Sequence, residues 1–311
     1  MKLADHLGDL LCDYAVDDDA LFVLDGDLAD SDGAYRFAAR FPDRFLMAGI
    51  AEQNLVGVAA GLASTGSKPW AFSFAAFLAY RAYDQIRIGL AQSHQAVVLA
   101  GSHAGGLPGR NGKSHAAPND LALMLTLPHL HVFAPADRLD LEWVTDTLVR
   151  EPHGAYVRLF RADADALSAL PGAARGAAGP VRVIAAPAPC TIVSTGLATH
   201  WCAALVQALA AEGRQVGLIH LPRLKPLPDL SPWLAGVRSI VVIEDHVTFG
   251  GLGSLLQAQA YGPAVHLWGW PVEFAGASGA DDDLRRAHAL DHDSLMSRLR
   301  DLMDDEDEAP C

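Results

Sequence analysis

The chain has 311 residues, 51% hydrophobic and 19% charged, so it is long enough for two globular domains with sizeable cores and too apolar to be disordered. Its formal net charge of −14 excludes a nucleic-acid-binding role, which needs clustered Lys and Arg to neutralise phosphates. The longest apolar runs are too short to span a bilayer, and Asp5 and Asp9 stand where a signal peptide would be basic and then apolar. A cytoplasmic location without membrane contact is expected.

In chain order, Leu3, Leu7, Leu10, Leu11 and Tyr14 fall at helical spacing, and residues 21–24 read as a short buried strand. The pattern then predicts an apolar helix over 49–62, a strand over 70–74, a helix over 77–90, and strands over 96–100 and 131–134. From residue 161 to 189 the composition turns to Ala, Gly and Pro, with Pro171, Pro180, Pro187 and Pro189 interrupting regular structure, so a linker over 166–189 is expected. Beyond it come strands over 190–194, 216–221, 239–243 and 264–267, with helices over 201–212 and 252–261. The alternation predicts an α/β protein of two doubly wound domains, 1–165 and 190–303. Residues 281–311 hold eleven acidic and four basic side chains, and the run Asp304 to Glu308 reads as a solvated, frayed tail over 304–311. Four cysteines (Cys12, Cys190, Cys202, Cys311) lie far apart without metal-ligand spacing and read as reduced packing thiols.

Three segments carry chemistry. Glu52 opens an otherwise apolar helix, either as a surface carboxylate steadied by the helix dipole or as one entering a protected interior, where it needs a partner or a proton. Phe74, Phe77 and Tyr80, each three residues apart, form either a core stripe or one side of a pocket. Gly101-Ser102-His103-Ala104-Gly105-Gly106 leads from a strand into a glycine-rich loop ending at Ser114-His115. Two histidines bracketing a polar loop suit an oxygen-rich ligand, although loop histidines alone are a weak sign.

Together these residues resemble the transketolase family from about Leu21 to Gly279. The resemblance is carried by Gly49-Ile50-Ala51-Glu52-Gln53-Asn54, the Phe74/Phe77/Tyr80 spacing, Arg81-Ala82-Tyr83-Asp84-Gln85, and the interval from His103 to His115. Val132-Phe133-Ala134-Pro135-Ala136-Asp137 adds to it, as do Glu244-Asp245-His246 and Gly250-Gly251-Leu252-Gly253 in the second domain. It implies a pyrimidine-binding domain followed by the family's C-terminal domain, with thiamine diphosphate and Mg2+ as cofactors. By resemblance, Glu52 bonds a ring nitrogen of the aminopyrimidine, and Phe74, Phe77 and Tyr80 hold the ring. Asp27 lies near the cofactor, His103 and His115 face the substrate's hydroxyls, and Ser31, Asn111 and Arg161 sit at substrate-binding positions.

The family's Gly-Asp-Gly followed about thirty residues later by Asn, which holds magnesium and diphosphate, is missing. The resemblance therefore implies a separate partner subunit carrying that N-terminal half, in a heterotetramer, with metal and diphosphate held mainly by the partner. On the substrate side, Gly109-Arg110-Asn111-Gly112-Lys113 replaces the usual Gly-Glu-Asp-Gly, Ala116 replaces a Gln, and an assisting Arg would fall at or before Met1. The expected reaction is transfer of a two-carbon ketol unit from a ketose to an aldehyde, with a specialised sugar or keto substrate. Two relatives with the same cofactor stay open, the beta subunit of a 2-oxo-acid dehydrogenase decarboxylating component and a 1-deoxy-xylulose-phosphate synthase. So does a non-catalytic regulatory subunit.

Overall fold

The structure, a computed structural model, describes residues 2–107, 109–163, 178–273 and 279–308. Helix α1 (Leu3–Tyr14) buries Leu3, Leu7 and Leu11 on one face, as their spacing requires. Strand β1 (Leu21–Asp25) follows, then the short helices α2 (Ala29–Asp32) and α3 (Tyr35–Arg40), strand β2 (Phe45–Met47), helix α4 (Glu52–Ser64) and strand β3 (Lys68–Phe74). The chain next makes a π-helical turn over Phe77–Arg81, the single α-helical turn α5 (Tyr83–Ile86) and a second π-helical turn over Arg87–Gln92. Strand β4 (Val98–Ser102), helix α6 (Asp120–Thr126), strand β5 (His131–Phe133), helix α7 (Arg138–Arg150) and strand β6 (Ala155–Arg158) complete this half.

The second half contributes β7 (Arg182–Ala185), β8 (Cys190–Ser194), α8 (Ala198–Ala211), β9 (Gly217–His220), β10 (Arg223–Lys225) and β11 (Ser239–Val247). It ends with α9 (Leu252–Gln259), β12 (Ala264–Trp270), α10 (Asp281–Ala287) and α11 (His292–Glu308). Two sheets result, a seven-stranded one in the order β10-β5-β6-β4-β3-β1-β2 and a five-stranded one in the order β12-β11-β8-β9-β7. Among the described strands of the two sheets, only the edge strands β10 and β7 run antiparallel to their neighbours. The strands of the first sheet's centre, such as Trp70–Phe74 against Val98–Ser102, are buried on both faces, which is why they read as continuous apolar runs rather than alternating ones.

Three expectations are corrected. Strand β7 lies inside the stretch read as linker, because a four-residue edge strand leaves little trace in an Ala- and Pro-rich composition; residues 164–177 of that stretch lie outside the described residues. Of the tail expected over 304–311, the acidic run from Asp304 to Glu308 continues α11 instead of fraying, with Asp304 paired to Arg214 of the second domain at 2.8 Å; residues 309–311 lie outside the described residues. The single helix expected over 77–90 is broken into the π–α–π succession above. Among the described residues no helix is long and apolar enough to cross a membrane.

Two buried carboxylates tie the domains together. Asp140 on α7 accepts from Arg182 Nη1 of β7 at 2.6 Å and pairs with His220 Nε2 of β9 at 2.9 Å, while Arg182 also reaches Asp137 at 2.9 Å. Burial alone would raise the Asp140 carboxyl, but the His220 and Arg182 partners outweigh it and hold the group down at about 2. Asp120 at the start of α6 accepts from Arg158 Nε at 2.9 Å and Tyr156 Oη at 2.7 Å, and the same guanidinium donates to the Asp245 carbonyl of β11 at 2.7 Å.

Arg182→Met should leave Asp137 and Asp140 buried without their cation and destabilise the fold by about 3 kcal/mol or more. A lowered urea midpoint with an unchanged slope is the expected result; an unmoved midpoint would show that the seam does not depend on this pair.

Candidate active site

The carboxyl ends of β1, β3 and β4 meet the amino-terminal end of α4, the place where open parallel sheets bind ligands. Glu52 is the first residue of α4 and has 0% exposed surface, so of its two sequence readings the interior one holds. Its Oε1 accepts from Ser73 Oγ of β3 at 3.4 Å and its Oε2 from Arg81 Nη1. Arg81 is delivered by the π-helical turn, whose wider winding accommodates an extra residue after Phe77, and its guanidinium lies 4.7 Å from the centre of the Phe77 ring.

An aromatic wall stands beside this carboxylate. Phe74 and Phe77 stack with ring centres 5.7 Å apart, and the His103 imidazole stacks on Phe74 at 4.0 Å. His115 meets Phe74 and Phe77 edge-on at 5.9 and 5.2 Å. Both histidines, at 103 and 115, thus come against the Phe74 ring, and His115 against Phe77 as well. His103 holds a left-handed backbone with φ of 54°, unusual for a residue with a side chain, and its Nδ1 lies 3.2 Å from Ser102 Oγ. Burial, with smaller contributions from Lys2, Arg161 and His115, lowers the His103 imidazole to about 4, so it is neutral at physiological pH and can donate from one nitrogen while accepting at the other.

The loop is gripped by the second domain. Asp245 Oδ1 accepts from Gly106 N at 2.9 Å and from Trp270 Nε1 at 2.7 Å, and His246 Nε2 accepts from Ala122 N at 3.2 Å. Gly105 has φ of 94°, and a Cβ there would stand 1.8 Å from Asp245 Oδ2, so no other residue fits. Glu244, the third member of the motif, caps α9 by accepting from Leu252 N at 2.8 Å and Gly253 N at 3.2 Å.

The sequence-predicted residues fall into three groups. Glu52, Phe74, Phe77, His103 and His115 come together. Asp27 and Arg161 lie at the rim: Asp27 follows Gly26, which packs on Ser73, and Arg161 lies under Gly109 and pairs with Asp281 at 3.6 Å. Asp27 has φ of 69° and is exposed, above a buried Asp25 whose Oδ1 accepts from Leu28 N at 2.7 Å. Ser31 on α2 and Asn111 on its 3-10 turn are exposed, with no hydrogen bond to the clustered residues. Tyr80 stands apart: its hydroxyl bonds Asn119 Oδ1, 44% of its surface is exposed, and among the described residues no ring stacking between it and Phe74 or Phe77 is seen. The π-helical turn explains this, because the extra residue rotates Tyr80 off the line of Phe74 and Phe77 and puts Arg81 on the ring face.

Sequence reasoning gave no role to Ser73 or Arg81. The signal was present, since a carboxylate assigned to an apolar interior demands donors, and the nearest candidates were the strand-end Ser and the Arg after the aromatic stripe. The donor set fits an aminopyrimidine: a buried carboxylate facing a slot of aromatic faces can accept a hydrogen bond from a flat heterocycle or share a proton with it. Among the described residues no group of three or more His, Cys, Asp or Glu is placed to hold a metal ion.

Residues 1–165 match the family model described as transketolase, pyrimidine binding domain, and residues 179–295 match transketolase, C-terminal domain. The chain is 31% identical over 300 residues to a putative transketolase C-terminal section from Methanocaldococcus jannaschii, covering 95% of this chain and 94% of that protein. It is 29% identical over 254 residues to a 6-deoxy-6-sulfo-D-fructose transketolase subunit from a Clostridium species, covering 81% of this chain and 78% of that one. A solved split-gene transketolase, described as an inactive beta4 tetramer, superposes with a TM-score of 0.83 at 30% identity, covering 97% of this chain and 98% of that chain.

The lowered His103 has a signed consequence. Its folded-state value of about 4 lies below the ordinary 6.5, so the stability it confers is complete above 6.5 and is lost as pH falls from 6.5 toward 4. Across that window the wild-type chain should lose more stability than His103→Asn, as read by chemical denaturation at each pH; parallel curves would mean that the imidazole is not desolvated.

Proposed function

We infer the function of this chain from the premise that it belongs to the transketolase family, carrying its pyrimidine-binding and C-terminal domains. It acts as one subunit of a split, thiamine-diphosphate-dependent transketolase, moving a two-carbon ketol unit from a ketose donor to an aldehyde acceptor. The observation that carries this reading is the fully buried Glu52 beside the stacked Phe74 and Phe77, with His103 and His115 closing one end. Thiamine diphosphate supplies, when bound, a carbon nucleophile and a sink for the electron pair released by carbon–carbon cleavage.

This chain's residues supply orientation and proton movement. Glu52 shares a proton with a pyrimidine nitrogen, an exchange that a carboxylate in a low-dielectric interior performs well. Phe74 and Phe77 fix the plane of the ring, each contact contributing about 1 kcal/mol beyond burial. The neutral imidazole of His103 and the half-buried His115 hold the substrate's hydroxyls and carry protons to and from its oxygens. Arg161 at the rim offers a planar fork to an anionic group at the far end of the substrate, and the exposed Asp27 and Ser31 add polar groups for the cofactor and the substrate.

Magnesium and diphosphate are held by a partner subunit carrying the family's N-terminal half, in a heterotetramer. The split-gene relative supports this division, being inactive as a beta4 tetramer. The sulfosugar relative supports a specialised ketose, and the cations Arg110 and Lys113, in place of the usual acids, fit one with a negatively charged end.

Co-expression with a subunit bearing the diphosphate-binding half should give thiamine-dependent ketol transfer, and Glu52→Gln should lower it at least ~100-fold, the scale of a lost proton-transfer group. Undiminished activity in Glu52→Gln would sink the reading. Activity requiring pyruvate as donor would instead assign the chain to the deoxyxylulose-phosphate-synthase reaction.

A further inference from the structure

The residue that the chemistry leaves unexplained is Arg81. Both oxygens of Glu52 are engaged, Oε1 by the Ser73 hydroxyl and Oε2 by the Arg81 guanidinium, and the same guanidinium covers the face of Phe77 at 4.7 Å. A pyrimidine ring that bonds Glu52 and stacks on Phe77 needs both of the places that this one side chain fills. Arg81 is also poised to leave. Its side chain is 44% exposed whereas Glu52 has none of its surface in water, so the cation can return to solvent although the carboxylate cannot.

We propose that Arg81 is a built-in occupant of the aminopyrimidine subsite, holding Glu52 and covering Phe77 until the cofactor displaces it. The proposal rests on the reading of Glu52 as the group that meets the cofactor. Two physical demands meet in the one contact. An empty site with a buried, unpaired carboxylate would be strongly unfavourable, and the guanidinium supplies the missing charge. A carboxylate locked to a cation shares a proton poorly, so the same contact that stabilises the empty site keeps it unreactive, and its release readies Glu52. The π-helical turn is what makes this arrangement possible: Arg81 reaches back to the start of α4, and Tyr80 is anchored away on Asn119. Arg81 is thus a positioning residue acting through Glu52. It also lowers apparent affinity, because cofactor binds only the fraction of molecules in which the side chain has swung out.

The test is calorimetric titration of the full chain with thiamine diphosphate and Mg2+, comparing wild type with Arg81→Gln, Arg81→Lys and Glu52→Gln. Arg81→Gln should bind about tenfold more tightly, as expected if roughly a tenth of wild-type molecules are open. Arg81→Lys, which keeps the charge but loses the flat fork, should fall between. Equal or weaker binding by Arg81→Gln, in a protein whose circular dichroism and melting curve are those of the wild type, overturns the proposal. Glu52→Gln separates this failure from that of the site itself: if it leaves affinity unchanged, Glu52 does not meet the cofactor and both readings fall. In the unaltered chain, the Arg81 guanidinium NMR signals should show restricted rotation without cofactor and free rotation at saturation; rotation still restricted at saturation would count against displacement.

Discussion

A carboxylate without access to water has to be compensated, and the arrangement around Glu52 follows from that constraint. The helix that begins at Glu52 is apolar on its inward side, with Leu55, Val56 and Ala59 buried, so it can supply no second polar group of its own. Compensation arrives from β3 through Ser73 and from the π-helical turn through Arg81. The aromatic wall is built on the same strand and the same turn, so the groups that stabilise the charge and those that would grip a ring cannot be placed independently. A site of this kind is preorganised by the parts that make its burial tolerable.

The same constraint builds the joint between the domains. Asp120 and Asp140 are fully buried; Asp140 takes its cation from β7 of the second half, and Asp120 takes its own from β6 of the first half, whose guanidinium also reaches across to β11. Through Arg158 the Asp120 hub reaches the backbone of Asp245, whose carboxylate in turn fixes Gly106. Asp245 itself is raised by burial, against the pull of Arg158, and its Oδ2 has no hydrogen-bond partner among the described residues, so an imperfectly satisfied acid holds the loop in position. Through this contact the second domain sets the loop on which His103 and His115 are carried.

Much of this was legible in the sequence, and the parts that were not have physical reasons. The strands of the two sheet centres were readable because burial on both faces produces uninterrupted apolar runs, and Cys190 to Ser194 is matched to the residue. Helix α7 was missed because its sequence, Arg138 to Arg150, is polar on one side and its start is signalled chiefly by the Asp137 cap, whose side chain accepts from Asp140 N at 3.0 Å. The short edge strands β7 and β10 carry three or four residues each, too few for periodicity to register. Within the site, Glu52 and the histidine loop were visible as chemistry in an apolar setting. The offset of Tyr80 from the Phe74–Phe77 stack was not legible, because three-residue spacing assumes regular α-helical winding, which a π-helical turn breaks, and no residue pattern announces such a turn.

Strand β10 leaves the second half of the chain to pair with β5, Arg223 opposite Phe133 and Lys225 opposite Val132. The first sheet is consequently unfinished until residue 225 has been synthesised, although its other six strands are complete by Arg158. On the ribosome, the margin of β5 must wait, open, while some sixty-five further residues emerge. Genetic dissection of the chain between the two sheets would yield a first piece with an unprotected strand margin and a second with a dangling one, both prone to associate wrongly. The unit of inheritance, and of any successful recombination with a relative, is the whole woven pair.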